Sequence, residues 1–330
     1  MNGSYKALIV GFGSIGRRHF RNLRTLYPEI EIAVLRSGLG ETDEENYIPL
    51  ESLQSAIDFQ PDFALICSPA PFHIDVALQL VEAGVHLFIE KPLSDNVENL
   101  DELKRISSRN SVTVALGYNL RFTHALQVLH RTVTERRYGS VYSVSAEVGQ
   151  YLPDWRPQQD YRKTVSARKE LGGGALLELS HELDYLCWML GEPVRVIGHV
   201  DKVSPLEIDV EDTADCIIEF GQGAKRIVAL VHLDFLQRAR RRECRVICEE
   251  ATVVWDGIAN TVLAFTHDNV EALYDEPVDA NDSYIAELTS FLACIQNKTE
   301  PAVSVTEGME VVRLIEAIKT SAVQGRRVAL

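Results

Sequence analysis

Residues 5–16 read YKALIVGFGSIG, an apolar run that leads directly into three closely spaced glycines. The spacing of Gly11, Gly13 and Gly16 is typical of a turn that joins a buried strand to a helix beside a bound pyrophosphate. Gly11 permits the tight turn, Gly13 lets the backbone approach the phosphates, and Gly16 lets helix and strand pack closely. The N–H groups and the positive dipole end of the following helix favour an anion there. We therefore predict a dinucleotide-binding turn made of Gly11, Phe12, Gly13, Ser14, Ile15 and Gly16.

The first 120 residues alternate short apolar runs with amphipathic helical patterns. Further strand-like runs are EIEIAVLR, PDFALICSP, VHLFIEKP and VTVALGYN. Strands that alternate with helices pair in parallel and are covered by helices on both faces. The pattern predicts an α/β fold that begins with a Rossmann doubly wound sheet over residues 1–120.

The pattern changes near residue 121. From residue 194 onward, strand-like runs such as VRVIGHVDKV and DTADCIIEF follow one another, separated by turns that contain Gly, Asp or Asn. Consecutive strands of this kind predict a mainly antiparallel sheet with one face packed on helices. Two helical patterns, DSYIAELTSFLACIQN and TEGMEVVRLIEAIKTSAVQG, come last. Residues 121–330 are therefore predicted to form an α+β domain.

The composition excludes several classes of partner. The chain has 330 residues and a formal net charge of −15, so general affinity for nucleic acid or for anionic membranes is not expected. No apolar run has the length of a transmembrane helix, and the N-terminal residues do not read as a signal peptide, which predicts a cytoplasmic protein. The six cysteines are scattered, without a C-x-x-C pair. We expect them to be buried and reduced, and no metal site is predicted.

The second predicted strand ends in VLRSG, which brings Arg36 and Ser37 to the position that reads the adenosine ribose. An NAD site usually has Asp or Glu there. A carboxylate would repel a 2′-phosphate, whereas a guanidinium pairs with it. We therefore predict NADP as the preferred cofactor over NAD, with Ser37 as a second phosphate donor. The alternative is that Arg36 is a solvated surface charge.

Polar residues follow the ends of two more predicted strands. In a doubly wound sheet, ligands bind beyond the carboxyl ends of the strands. Ser68, Pro69 and His73 follow one such end, and Glu90 and Lys91 follow the next. We expect all five at the cofactor site, with Lys91 where nicotinamide and substrate meet. A lysine there can hydrogen-bond a substrate hydroxyl and help to manage its proton; the alternative is an ordinary solvated lysine.

A leucine-rich stretch, LGGGALLELSHELDYLCWML, covers residues 171–190. On a wheel drawn for one continuous helix, the leucines form a stripe opposite His181. The residues on the His181 face are Glu178, Asp184, Tyr185 and Trp188. A carboxylate beside His181 would fix its tautomer and raise its pKa toward neutrality, which suits acid–base chemistry. The alternative is a plain solvated face.

A polar, aromatic loop covers residues 150–170. Its aromatic and basic side chains are Tyr151, Trp155, Arg156, Tyr161, Arg162, Lys163, Arg168 and Lys169. Aromatic rings pack on the apolar faces of sugars, and arginine binds carboxylates or phosphates in a forked geometry. In an acidic chain this local basic excess predicts an anionic sugar, such as a sugar acid or a nucleotide sugar. The substrate contacts expected in this loop are Tyr151, Trp155, Arg156, Tyr161 and Arg162. The alternative is a basic surface loop or a subunit contact.

Four motifs occur in an order that resembles one known family: GFGSIG followed by a histidine, then SPAPFH, EKP and GGGALLELSHELD. The chain resembles the Gfo/Idh/MocA oxidoreductases, relatives of glucose–fructose oxidoreductase and inositol dehydrogenase, over nearly its whole length. The resemblance implies a Rossmann domain joined to a substrate-binding and oligomerisation domain with a large open sheet. It also implies NAD(P)-dependent hydride transfer on sugars, polyols or nucleotide sugars, in a homodimer or a homotetramer.

The resemblance also assigns roles to single residues. In that family the E-K-P lysine and a histidine after the glycine run serve the reacting hydroxyl, which implies these roles for Lys91 and His181. The stretch GYNLRF at 117–122 is similar to the family as well, and we expect Asn119 at the cofactor and Arg121 at the substrate. The family usually has an aspartate four residues before the histidine and another three after it. Asp184 matches the second position, whereas Glu178 lies only three residues before the histidine, so both stay candidates for its partner.

These expectations converge on an NADP-preferring oxidoreductase of a sugar-type alcohol or ketone. Hydride would pass between the carbinol carbon and the nicotinamide, and Lys91 and His181 would share the hydroxyl proton. The substrate loop resembles that of family members associated with surface-glycan sugars. One alternative is a reductase of a non-sugar carbonyl or double bond in the same fold. Another is a non-catalytic NADP-sensing protein, which would not need Lys91 and His181 together.

Overall fold

The chain folds into two compact units. The computed structural model describes residues 5–36, 46–221, 223 and 226–330. The first unit comprises Met1–Tyr118 and Tyr284–Met309, and the second comprises Asn119–Ser283 and Glu310–Leu330. The sequence predicts a single division after residue 120, whereas the structure also assigns a late segment to the first unit.

The first unit contains a six-stranded parallel sheet. Its strands are β1 (Lys6–Val10), β2 (Glu31–Leu35), β3 (Ile48–Leu50), β4 (Phe63–Ile66), β5 (His86–Glu90) and β6 (Val114–Gly117). The helices that alternate with them are α1 (Ser14–Leu26), α2 (Leu53–Asp58), α3 (His73–Glu82) and α4 (Leu100–Arg109). The strand order is β3-β2-β1-β4-β5-β6, and the described neighbours run parallel. The predicted Rossmann sheet is confirmed. The chain reverses direction across the sheet between β1 and β4, the point where such sheets bind ligands.

The second unit is built around a nine-stranded sheet. Its first elements are α5 (His124–Thr134), β7 (Val141–Gly149), α6 (Ala175–Glu178), α7 (His181–Leu190) and β8 (Pro193–Asp201). The strands that follow are β9 (Thr213–Phe220), β10 (Ile227–Asp234), β11 (Arg241–Cys248), β12 (Thr252–Asp256), β13 (Thr261–Phe265) and β14 (Val270–Asp275). Three elements end the chain: α8 (Asp282–Asn297), which falls almost wholly in the first unit, α9 (Val305–Gln324), which begins in the first unit and continues in the second, and β15 (Val328–Ala329).

The strand order of this second sheet is β14-β13-β12-β11-β7-β10-β9-β8-β15. Among the described pairings, β7 and β10 run parallel and the others are antiparallel. Burial alternates along the strands: in β11, Cys244 and Val246 are buried, whereas Arg245 and Ile247 are exposed. One face is therefore packed and the other is accessible in the chain, which confirms the predicted open, mainly antiparallel sheet.

The helix α8 completes the core of the first unit. The ring of Phe291 lies 5.9 Å from that of Phe63 and 5.7 Å from that of Phe88. Leu288 and Leu292 are buried in the same cluster. The periodicity of α8 predicts a helix but does not indicate which sheet it covers, so its place in the first unit becomes visible only in the fold.

The leucine-rich stretch is not the continuous helix that the wheel assumes. Leu179 has φ −102° and ψ 25°, and it separates α6 from α7. Tertiary hydrogen bonds hold α6 in place: the N–H of Ala175 donates to the carbonyl of Glu211, and the N–H of Leu176 donates to its side chain. Gly174 has φ +108°, a conformation that favours glycine. The helix that the periodicity predicts is therefore interrupted between α6 and α7.

The six cysteines have the buried positions that the composition predicts. All six cysteines are free and buried. Over the described residues, no helix combines the length and the apolar character that crossing a membrane requires.

Candidate functional site

The loop between β1 and α1 needs glycine at two positions for steric reasons. Gly11 has φ +88°, and a Cβ there would lie 2.6 Å from the backbone N of Ser68. A Cβ on Gly16 would lie 2.3 Å from the carbonyl oxygen of Gly11. The loop therefore packs backbone to backbone on the end of β4. These contacts agree with the turn and packing roles predicted for the two residues.

Gly13 differs from its neighbours because the space beside it is open. A Cβ built on Gly13 would meet no atom of the described residues within 4 Å. Gly13 caps α1, and among the described residues no side chain bonds to the free N–H groups of that first turn. The turn contains no acidic residue. Open space, free donors and a positive helix end fit a dinucleotide pyrophosphate.

The other turn residues divide between core and surface. Phe12 is buried, with its ring edge-on to Phe20 at 5.7 Å and to Tyr47 at 5.1 Å, so only its backbone can face a cofactor. Ser14 is exposed, and Ile15 is partly buried. The predicted turn therefore offers backbone groups and one hydroxyl to a ligand.

Arg36 lies directly after β2 and is partly buried. Its Nη1 donates to the hydroxyl of Tyr47 at 3.1 Å, which fixes the side chain near the end of the strand. Ser37, predicted as a second phosphate donor, lies outside the described residues.

His73 is buried and ties together the loops that follow β4 and β5. Its Nε2 lies 2.6 Å from the carbonyl oxygen of Ser68, and its Nδ1 lies 3.1 Å from that of Pro92. Burial lowers the pKa of His73, although both carbonyl contacts oppose this. The ring therefore holds the backbone of both loops in place, while Ser68 and Pro69 remain partly exposed. This contact supports a positioning role for His73, because its two ring nitrogens are already engaged by the protein.

Glu90, at the end of β5, is buried against α1. Its Oε1 lies 2.6 Å from Nε2 of His19, and its Oε2 accepts the backbone N–H of Lys91 at 3.3 Å. Lys91 is partly exposed. In the sequence, His19 is marked only as the histidine that follows the glycine motif. The contact shows how α1 and β5 together fix the backbone from which Lys91 projects.

In the second unit, a buried ion pair holds the helix that begins at His181. Arg121 Nε donates to Asp184 Oδ2 at 2.9 Å, and its Nη2 donates to Oδ1 at 2.6 Å. Arg121 is 4% exposed and Asp184 is 1% exposed. The guanidinium also lies 5.4 Å from the ring of Trp188, on which His130 stacks at 3.7 Å. Charge, hydrogen bonds and stacking thus fix α7.

The other two carboxylates of this stretch have partners of their own. Glu178 accepts a hydrogen bond from the hydroxyl of Ser166 at 2.7 Å. Glu182 is fully buried and accepts from Nε of Arg242 at 2.8 Å. These pairings have no local signature, because each partner lies in a different segment of the chain.

The helical wheel places Glu178, Asp184, Tyr185 and Trp188 on one face with His181, and this prediction is wrong for Asp184 and Tyr185. Asp184 is buried because Arg121 supplies a countercharge, and Tyr185 is buried edge-on to Trp255, with ring centroids 5.6 Å apart. His181, Trp188 and Glu178 remain partly exposed.

The substrate loop predicted over 150–170 is held by contacts of its aromatic residues. Arg238 lies over the ring of Tyr151 at 3.5 Å. The indole N–H of Trp155 donates to the carbonyl of Gln150, and the hydroxyl of Tyr161 accepts the backbone N–H of Glu207. These rings are partly buried, so the loop presents them in fixed positions.

Acidic neighbours reduce the basic excess of this loop. Arg162 pairs with Asp160 at 2.8 Å and with Glu207 at 3.0 Å, and these carboxylates raise its pKa. Arg168 pairs with Glu170. Arg156 and Lys163 are exposed. The prediction of an anionic substrate therefore depends on fewer cations than the sequence indicates.

An aspartate–histidine–aspartate cluster anchors the same loop from β10. His232 contacts Asp234 at 2.9 Å and Asp215 at 2.7 Å, and these carboxylates raise the pKa of His232 to about 9. Asp234 also accepts the backbone N–H of Gln237, whose carbonyl accepts the N–H of Tyr151. The cluster became visible only in the fold, because the sheet register brings β9 and β10 together.

Asn119 occupies the turn directly after β6. It is buried, and its amide donates to the hydroxyl of Ser283 at 2.9 Å. This contact ties the turn to the start of α8.

Two family models match this chain, one in its N-terminal part and one further along. A family model described as an oxidoreductase family with an NAD-binding Rossmann fold matches residues 5–118, and a model of the GFO/IDH/MocA C-terminal domain matches residues 126–254. A myo-inositol 2-dehydrogenase of Thermotoga maritima is 25% identical over 98% of this chain and 97% of its own length.

Two solved structures share the fold. A levoglucosan dehydrogenase in complex with NADH superposes with a TM-score of 0.85 at 18% identity and covers 99% of both chains. The WlbA dehydrogenase from Bordetella pertussis, in complex with NADH and UDP-GlcNAcA, gives a TM-score of 0.82 at 21% identity and also covers 99% of both chains.

Two glycine substitutions should separate stability from cofactor binding. Gly13→Ala places a methyl group in open space and replaces the N-cap glycine of α1, so the free energy of unfolding should fall by about 1 kcal/mol or less. The same methyl obstructs a pyrophosphate, so NADH should bind about tenfold more weakly. Gly16→Ala forces a methyl against the carbonyl of Gly11 and should cost about 2 kcal/mol or more. Urea unfolding and fluorescence titration with NADH measure both effects; a Gly13→Ala protein that binds NADH as tightly as the parent would contradict the assignment.

Proposed function

The chain belongs to the Gfo/Idh/MocA oxidoreductase family, and we propose that it acts on the CH–OH group of a sugar, a sugar acid or a nucleotide sugar. When bound, the nicotinamide dinucleotide accepts or returns the hydride of that carbon. One observation carries the proposal: the chain has an open glycine turn at Gly13, and it has Lys91 and His181 at the positions where the family has its lysine and histidine. The polyol and sugar names of the relatives support this substrate class.

Lys91 is assigned to proton exchange with the reacting hydroxyl. Its backbone N–H is held by Glu90, and the carbonyl of the following residue, Pro92, is held by His73. A lysine on a fixed backbone can hydrogen-bond a hydroxyl and manage its proton at little cost in conformational entropy. The buried contacts on both sides of Lys91 support this assignment.

His181 is assigned the second role in proton transfer. Asp184 is bound to Arg121, so we assign both of these residues to positioning the helix turn that carries His181. Glu178 is assigned to holding the segment before α7 through Ser166. Arg121 is buried and already paired, and this supports a scaffold role over a substrate contact.

The substrate is assigned to the loop over 150–170. Tyr151, Trp155 and Tyr161 offer ordered aromatic surface for the apolar face of a sugar ring. Arg162 is engaged by two carboxylates, so Arg156 is the loop arginine proposed to meet an anionic group. The UDP-GlcNAcA bound to the similar WlbA dehydrogenase supports a carboxylated nucleotide sugar as one candidate substrate.

A panel of sugars tests the proposed reaction. The parent protein should reduce NAD or NADP with at least one of myo-inositol, levoglucosan and UDP-GlcNAcA. Lys91→Ala and His181→Ala should each lower kcat by about 100-fold or more, because each removes a group that handles the proton. Lys104→Ala, an exposed lysine on α4, is the matched control and should keep full activity. Absence of turnover with the whole panel would favour a non-sugar carbonyl or double bond, and full turnover in both alanine variants would sink the mechanism.

We propose that this member of an NAD-binding family prefers NADP. The support is the cation at Arg36, held at the end of β2 by Tyr47, in place of the usual carboxylate. NADPH should bind more tightly than NADH, and Arg36→Ala should weaken NADPH binding by about tenfold while leaving NADH binding unchanged. Fluorescence titrations of the parent, Arg36→Ala and the control Arg105→Ala measure this. Tighter binding of NADH by the parent protein would refute the preference.

We propose that the chain forms a homo-oligomer and that the accessible face of the nine-stranded sheet is the interface between its copies. Ile217, Leu230 and Ile247 are each more than 40% exposed there. Glu243 and Arg245 line the same face, so charges of both signs are available to pair with a second copy. Light scattering should give a mass of two or four chains, and Leu230→Glu should shift it toward one chain because it buries a charge. A parent protein that is a monomer at micromolar concentration would exclude this interface.

A further inference from the structure

Three titratable side chains from distant parts of the chain meet inside the first unit. They are His19 of α1, Glu90 of β5 and Glu287 of α8. One nitrogen or oxygen atom from each lies within 4.8 Å of those of the other two. His19 is 0% exposed, Glu90 is 8% exposed and Glu287 is 1% exposed. Neither the glycine motif nor the E-K-P motif indicates that a residue of α8 belongs here.

Aromatic rings and a glycine enclose this group. The ring of His19 lies 5.4 Å from that of Phe88 and 6.2 Å from that of Tyr284. Gly117 pairs with Glu90 across β5 and β6, and a Cβ on Gly117 would lie 3.1 Å from the carboxyl carbon of Glu90. The absence of a side chain at Gly117 therefore gives the Glu90 carboxyl its space. Such an enclosed site excludes the water that would otherwise solvate charge.

Two carboxyl groups, those of Glu90 and Glu287, lie close together in this enclosed site. Glu90 and His19 face one another at 2.6 Å and share a hydrogen bond. Among the described residues, neither oxygen of Glu287 has a hydrogen-bond partner. Burial and the nearby Glu90 raise the pKa of Glu287, whereas Arg18 lowers it to a smaller extent. The thiol of Cys67 also faces both carboxyl groups, and its pKa is raised, so it adds no charge.

We propose that Glu287 retains its proton at neutral pH and that, with His19, it positions the Glu90 carboxylate and through it the backbone of Lys91. Two neighbouring carboxylates in a dry site cannot both ionise without a compensating charge. A metal ion is the other way to compensate them. Ligand atoms on one ion stand about 3 Å apart, whereas Nε2 of His19 and Oε1 of Glu90 lie 2.6 Å apart, so these two atoms share a hydrogen bond in place of an ion. Glu287 and His19 are thus positioning residues, and their effect on turnover rests on the proposed role of Lys91.

The protonation state can be tested without a substrate. The infrared spectrum of the full-length protein at neutral pH should contain a protonated carboxyl band that Glu287→Gln removes. A raised pKa in the fold means that the stability linked to the protonated form is lost as pH rises through the folded pKa. Glu287→Gln should therefore gain stability relative to the parent as pH rises, in urea unfolding. A band that survives in Glu287→Gln, or a stability difference of the opposite sign, overturns the proposal. A stoichiometric divalent cation in the parent that is lost from Glu287→Gln also overturns it.

The positioning role is tested on the panel sugar that turns over fastest. In Glu287→Gln the new side chain is neutral and polar, so kcat should fall by less than about twofold. In Glu287→Leu the polar group is lost, so kcat should fall about tenfold at an unchanged KM for the dinucleotide. Leu292→Ala, on the same helix and buried in the same unit, is the control for general loss of packing and should keep kcat. If Glu287→Leu behaves like Leu292→Ala while Lys91→Ala is inactive, the positioning role is wrong and the proposed function stands. If Lys91→Ala keeps full turnover, the proposed function fails, and the role of Glu287 in catalysis fails with it.

Discussion

Charge that is buried must be neutralised where it lies, and this constraint shapes both units of the chain. In the second unit, Arg121 neutralises Asp184 and Arg242 neutralises Glu182, so that α7 can be buried with its carboxylates. In the first unit, His19 holds Glu90 at the end of β5. Removing one member of such a pair leaves an uncompensated charge, which costs several kcal/mol, about 3–5 in typical cases. The pairs therefore fix the backbone beside Lys91 and the helix that begins at His181.

The fold could be predicted from the sequence wherever periodicity and local turn chemistry agree. The glycine turn at Gly11–Gly16 and the alternation of strands with helices predict the parallel sheet, and the structure confirms it. The run of strands after residue 194 predicts the antiparallel sheet in the same way. Two features escape this reasoning for physical reasons. The break at Leu179 falls inside a leucine pattern that suits one continuous helix, and the place of α8 is set by aromatic packing on Phe63 and Phe88.

The candidate site was predictable as a set of residues but not as a set of contacts. Lys91 can be identified because it follows the end of a predicted strand, and His181 because it lies on the helix face opposite the leucines. Their supporting partners do not stand out, because an arginine or a glutamate in a distant segment has no local signature. The same reason explains the loop over 150–170, where the sequence shows arginines and the structure shows that Arg162 and Arg168 are paired with acids. Sequence patterns thus predict candidate groups for the chemistry, and the fold shows which groups hold them.

We propose that this chain moves a hydride between a sugar carbon and a nicotinamide dinucleotide. Transfer of a deuterium label tests it most directly. The panel sugar that turns over would be supplied with deuterium on its carbon atoms, and the reduced dinucleotide would be analysed by mass spectrometry. The account predicts one deuterium in each molecule of reduced dinucleotide, with none arising from the solvent. Reduced dinucleotide that carries only solvent hydrogen would contradict direct hydride transfer and, with it, the proposed reaction.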